Sequence, residues 1–254
     1  MLRRYCVILA AILISGGCAA TGEVPKFQFA AGTRVGIINH LESYAIHQNF
    51  QPLRIENFTK EVTVDWKIPE YATQRVKDVL KSDSRFSVIS LKPEELSGAL
   101  TQFEGPLTTA STLDQETIAG EIKPELAGDL NALANKNNLD VIIWIRSYKG
   151  PSVFKIAKNP IELQGYGLFT RELLLSKKAY AYANIEVVVI KTPKATYIGS
   201  GTSKTDQSPL NDFKLPDDLK NIAPSEFNKL KPIIQNYADE AVNKALLNAN
   251  VIVR

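Results

Sequence analysis

Leu230, Ile233, Ile234, Tyr237, Ala238, Ala241, Val242, Ala245 and Leu246 recur at three- and four-residue spacing, the strongest periodicity in the chain. That spacing puts them in one stripe along a helix, and such a stripe must be laid on an apolar surface. The chain contains a matching surface. Val141-Ile142-Ile143-Trp144-Ile145 is apolar without interruption, as expected of a central strand covered on both faces. Helix layered on sheet is therefore the minimum architecture. Pro232 cannot donate its backbone hydrogen bond, so the long helix is expected to start there, with 225–230 as a separate turn or two.

Upstream, 34–39 reads as a short buried strand. Two places in 40–68 alternate like strands, 45–50 and, more clearly, 62–68, and predict an inserted hairpin or a pair of extra strands. Pro69 and Glu70 open a helix with Ala72, Val76, Val79 and Leu80 on one face, stopped by Ser82-Asp83-Ser84. Segment 85–91 follows as a strand with Phe86 and Val88 on one face. The polar stretch 91–121 reads as a long loop with a short helix at 93–100. A second helix starts at Pro124, presents Leu126, Leu130, Leu133 and Ala134, and stops at 135–138. Segment 147–178 is broken by Gly150-Pro151, Asn159-Pro160 and Gly165-Tyr166-Gly167, and within it 168–175 fits helix or strand. Beyond it, 179–191 is strand-like, 192–195 a turn and 196–205 the return strand of a hairpin. Gly199 and Gly201 in that return strand predict a bulge or a close approach to a neighbour. The tail 251–253 has the makings of one more short strand. The fold class is α+β: a mixed, largely antiparallel sheet of about five or more strands, packed by two to four helices with a long C-terminal helix.

The amino terminus is of another kind. Arg3 and Arg4 precede an apolar run over 5–14, and Ser15-Gly16-Gly17 leads into Cys18. The run is too short for a span, which needs about 20 apolar residues, and has the length of a signal-peptide core. Small residues followed by cysteine resemble the lipobox of bacterial lipoproteins, although Ser15 stands where those proteins carry Leu, Val or Ile. The resemblance implies removal of 1–17, acylation of Cys18 and a spacer over 18–33, in which Phe27 and Phe29 dock as a strand or lie near the headgroups. An ordinarily cleaved secreted protein and a retained anchor are the competing readings. Cys6 leaves with the signal, so the mature chain holds Cys18 alone and cannot close an internal disulfide. Two acyl chains suffice for stable anchoring. Ala19 in place of Asp implies the outer membrane, by resemblance to enterobacterial lipoproteins.

The leader takes two of the 30 basic residues and none of the 27 acidic ones, leaving the mature chain near +1. No basic block or stacked aromatic patch supports nucleic-acid binding. His40 and His47 are the only histidines and have no partner at zinc-motif spacing, so no metal or cofactor is expected. The stretch 199–205 resembles a phosphate loop but has Ser203 and Ile198 where glycines are required. No Gly-x-Ser-x-Gly elbow occurs. Glu94-Glu95 and Asp217-Asp218 read as solvated pairs, and the sequon at Asn57 is a pattern only. Trp66, Tyr166 and Phe169 fit partner anchors on polar insertions and fit core packing equally.

The order of these elements resembles the periplasmic α+β domain shared by the curli-secretion lipoprotein CsgG, the penicillin-binding-protein activator LpoB and the amino-terminal domain of TolB. Arg85-Phe86-Ser87-Val88 matches their "Phe-x-Val" strand, and Asn137-Asn138-Leu139-Asp140 occupies their "Gly-Ala-Asp"-like turn. The hairpin over 185–203, with Thr192-Pro193-Lys194, resembles their "Asp-x-x-Thr-Gly" turn without its glycine. The resemblance covers most of 34–249, as a single domain over 34–254 with insertions at 40–68 and 147–178. It implies a non-catalytic module that binds partners or assembles, without any site residue carried over. The expectation is an outer-membrane, periplasm-facing lipoprotein held by lipid on Cys18 and contacting envelope proteins or itself. A periplasmic enzyme and a carrier of a small or lipid-like ligand are the alternatives.

Overall fold

The computed structural model describes residues 27–51, 57–95, 98–101, 103, 120–147, 149–156, 159–173, 176–203 and 208–252. In chain order the elements are β1 (Thr33–His40), β2 (Ala45–Phe50), β3 (Phe58–Val62), α1 (Ile68–Lys81), β4 (Phe86–Ser90), α2 (Gly98–Thr101), β5 (Gly120–Glu121) and α3 (Pro124–Asn137). They continue with β6 (Val141–Ser147), β7 (Lys149–Ile156), β8 (Asn159–Gln164), β9 (Tyr166–Leu173), β10 (Ser176–Ala183), β11 (Ile185–Lys191), β12 (Thr196–Thr202), α4 (Pro224–Asn228) and α5 (Lys231–Asn248).

The larger sheet has the order β4-β1-β6-β11-β12-β5. Its first three strands are parallel, and β11, β12 and β5 add antiparallel neighbours. β6 lies inside it with both faces covered. Val141, Ile143 and Ile145 point into a core shared with α1 and α5, while Ile142 and Trp144 meet Leu126, Leu130 and Leu133 of α3 on the other face. Mixed pairing with a long C-terminal helix is the expected α+β class.

The helix ends follow from local chemistry. α1, α3 and α5 each carry proline in the first turn, where the missing N–H costs nothing. Asn138 and Asn250 take left-handed backbone, with φ 52 and 54. Leu139 N–H then donates to Ala134 O at 2.9 Å and Val251 N–H to Leu246 O at 2.9 Å. These six-to-one bonds satisfy carbonyls at the ends of α3 and α5, with asparagine filling the place glycine usually takes.

The stretches read as insertions meet in a second sheet, ordered β10-β9-β2-β3. β2 runs parallel to β9 and antiparallel to β3. One face, with Ala45, Tyr166, Leu168, Ala179, Ala181 and Ala183, joins the core under α5; the other, with Ile46, Phe169, Tyr180 and Tyr182, is covered by Ile161 and Leu163 of β8. The described part of the ambiguous run, 168–173, thus lies in a strand, because β2 supplies a ladder partner, and 174–175 lie outside the described residues.

Several expectations are corrected. The strand expected at 62–68 is absent: β3 ends at Val62, the chain to α1 forms no ladder, and Lys67 takes left-handed backbone at the helix start. Its alternation is real, since Val62 and Val64 are half-buried and Trp66 and Ile68 are buried, but it marks a segment packed on the core and not paired. The run 179–191 is two strands. Asn184 breaks it, donating from its side chain to Leu163 O at 2.6 Å and from its backbone to Gly165 O at 2.7 Å, so that the chain steps from one sheet to the other. Val251 and Ile252 form bends and not a strand, with Val251 buried beneath the end of α5. Phe27 and Phe29 dock on the core without strand pairing, Phe29 meeting Phe86 edge-on at 5.6 Å.

Gly199 and Gly201 allow α5 to lie against β12. A Cβ on Gly199 would stand 2.6 Å from Ala249 N, and one on Gly201 would collide with the backbone of Ala241 and Ala245. Gly128, within α3, faces open space. In urea unfolding, Gly201→Val is expected to cost about 2–4 kcal/mol, since the helix must lift. Gly128→Ala should instead stabilise by roughly 0.5–1 kcal/mol. Equal effects at the two positions would refute the close-packing account.

Candidate functional site

Cys18, the residue the sequence singles out, lies outside the described residues. Within them, three polar groupings are built by strands, apart from the Tyr71, Arg75 and Asp239 contacts that join α1 to α5.

The first is the interior of the smaller sheet. His47 and Asn49 on β2 project beside Thr170 on β9, all three buried. Thr170 Oγ1 donates to Asn49 Oδ1 at 2.9 Å, which uses its only proton. His47 Nε2, 2.9 Å from the same hydroxyl, must therefore be the donor. Burial pushes the His47 imidazole down to about 4, with Lys60 adding to the effect, so the ring is neutral at pH 7. Phe58 and Phe227 pack edge-on against it at 4.9 and 5.8 Å. A histidine that donates to a threonine cannot take that threonine's proton. The group is a polar tie between parallel strands.

The second lies at the far ends of β1 and β6. Glu42 Oε2 accepts from Ser147 Oγ at 2.7 Å, and Glu42 O accepts from Tyr166 Oη at 2.6 Å. Burial raises the Tyr166 phenol above its ordinary value, and the Glu42 charge adds to it. His40 stands opposite Arg146 in the β1–β6 ladder, and burial lowers its imidazole although Glu42 opposes the shift. These bonds fasten the chain leaving β1 to the end of β6 and the start of β9. Among the described residues, no group of three or more His, Cys, Asp or Glu side chains could hold a metal.

The third is an ion pair across β6 and β11, with the arginine buried and the glutamate half-buried. Arg146 and Glu186 face each other in the ladder, and Arg146 Nη2 and Nε lie 2.6 and 2.8 Å from Glu186 Oε2. The Arg146 guanidinium also donates to Phe103 O at 3.2 Å and sits 5.8 and 5.5 Å from the rings of Phe103 and Trp144. With Glu186 neutralising it and two rings beside it, Arg146 clamps the segment after α2 to the sheet.

The aromatic residues singled out as possible partner anchors are core residues. Trp66, Tyr166 and Phe169 are 2, 1 and 0% exposed. Trp66 donates its indole N–H to Asn228 Oδ1 at 3.1 Å, and the Trp66 and Tyr166 rings lie tilted with centroids 6.4 Å apart. Of the acidic pairs, Glu95 accepts from Lys92 N–H and meets Lys136, while Asp218 caps the short turn at Leu219–Asn221. Gly199 and Gly201 lie within β12. Sequence reasoning missed Arg146 and Glu186. The available signal was a single charge ending one apolar strand and another opening its neighbour.

Two measurements follow. Between pH 6.5 and about 4 the unfolded chain takes up a proton that folded His47 refuses, so stability is full above that window and falls through it. The loss approaches about 3 kcal/mol at the acid end, and His47→Gln should flatten the stability profile over that range. Glu186→Ala takes the Glu186 carboxylate away from the buried Arg146 guanidinium and should cost roughly 3–5 kcal/mol, whereas an Arg146→Met, Glu186→Leu double variant should recover most of that loss. Denaturant titration of the four proteins reads both effects.

A scan of protein-family models finds no match to the chain, and a search of curated proteins finds no match either.

Proposed function

We propose that the chain is an outer-membrane-anchored, periplasm-facing bacterial lipoprotein whose α+β domain binds or assembles with other envelope proteins without catalysing a reaction. The observation that carries this reading is the order Arg3-Arg4, apolar run, small residues and Cys18 at the amino terminus. Lipid on Cys18 holds the domain in a membrane plane and raises its effective concentration towards partners there. The fold is consistent with a binding module: the polar clusters at His47, Glu42 and Arg146 are engaged in tying strands together.

A contact surface is part of this proposal. β2 and β9 are core strands, so partner contact is assigned to the exposed side chains Thr59, Lys60 and Glu61 of the edge strand β3. In cells, the wild-type protein should carry acyl mass on Cys18 and partition into detergent, and Cys18→Ser should do neither. A photo-crosslinker at Glu61 should give adducts with envelope proteins or with a second copy in the acylated protein. An unacylated wild type would sink the anchor; an acylated protein without adducts at Thr59, Lys60 or Glu61 would sink the assigned contact surface.

A further inference from the structure

One end of the larger sheet is basic. The ladders place Arg34 beside Ser87, Val35 beside Val141, and Lys191 beside Val141 and Thr196, so the starts of β1, β4, β6 and β12 and the finish of β11 lie together. Lys194 belongs to the turn there, and Lys81 arrives at the end of α1, whose exit is folded back by Asp83 N–H to Leu80 O and Phe86 N–H to Asp83 O. Arg34, Lys81, Lys191 and Lys194 are exposed. None of these four is in an ion pair among the described residues.

Two acids at this end are engaged, and Glu121 also stands here, beside Thr196 in the ladder. Asp83 holds Arg85 at 2.6 Å, and Asp140 accepts the Arg34 backbone N–H at 2.8 Å. Glu42, Glu70 and Glu186 belong to the opposite end, where α1 begins and β11 starts. Arg34, Lys81, Lys191 and Lys194 therefore give this end a group of exposed cations outside the ion pairs of the described residues.

The chain also enters at the basic end. Phe27 lies under the Lys191 ammonium at 5.0 Å, and Phe29 lies on Phe86. The short stretch from Cys18 to Phe27 spans at most about 32 Å even if fully extended.

We propose that in the anchored protein this basic end faces an anionic phospholipid surface. The proposal rests on the reading that Cys18 is acylated. The tether keeps the domain close, and each lysine within a Debye length of an anionic leaflet changes the local partition by roughly fivefold. Orientation follows because the charges sit on the end to which the tether attaches.

The test uses the purified acylated protein in vesicles of phosphatidylcholine alone and of phosphatidylcholine mixed with phosphatidylglycerol. A membrane-impermeant amine reagent labels it, and mass spectrometry reads each lysine and the amino-terminal peptide. Lys81, Lys191 and Lys194 should label roughly threefold or more slowly on the anionic vesicles, the difference closing in high salt. Exposed Lys67, just before α1 at the opposite end, should label equally on both. A Lys191→Gln, Lys194→Gln variant should lose the charge-dependent protection at Lys81. Protection that ignores vesicle charge, or that covers Lys67 equally, would overturn the orientation alone. An amino-terminal peptide without acyl mass would remove the anchor and the orientation together.

Discussion

A strand apolar at five successive positions has no side it can offer to water, and the fold is arranged around that fact at β6. Its alternate residues point into two cores, so helices are required on both faces: α1 and α5 on one, α3 on the other. Buried strands also need their backbone groups paired along both edges, which β1 and β11 supply. Each neighbour inherits part of the constraint. α5 can lie flat against the sheet only because β12 presents Gly199 and Gly201 beneath it.

The layers against β6 were legible because their signals are local. The apolar stripe of α5, the start near Pro232 and the asparagine stop of α3 each depend on neighbours a few residues away. The second sheet was not legible as a sheet. Its central pair joins β2 to β9, and no local pattern near Ile46 announces Gly167 as its ladder partner. Alternation was misread at 62–68 for a related reason: a segment laid on a core can bury every second residue whether or not a neighbouring strand pairs with it. Trp66 and Ile68 are buried by helix and sheet packing alone.

The candidate sites divide in the same way. Cys18 is named by consecutive residues, and consecutive residues are what a sequence displays. His47, Thr170 and Asn49 acquire meaning only when two distant strands align, and what they then form is a buried tie. The same holds for Arg146 and Glu186, whose charges look isolated in two apolar strands until the ladder sets them opposite each other. Burial of Trp66, Tyr166 and Phe169 resolves their double reading in favour of packing, because a closed core leaves those rings unavailable to a partner.

The parallel pairing of β2 with β9 also sets an order of events in assembly. Asn49 and Thr170 bond across a separation of 121 residues. As the chain is made, β2 and β3 emerge long before the strand that completes their sheet, and Ile46 and Phe50 have no cover until β9 and the β8 ribbon arrive. Contacts so distant in sequence close slowly, since the intervening chain must first be confined. The smaller sheet is therefore a late structure, and its early half stands open to wrong pairing before folding is complete.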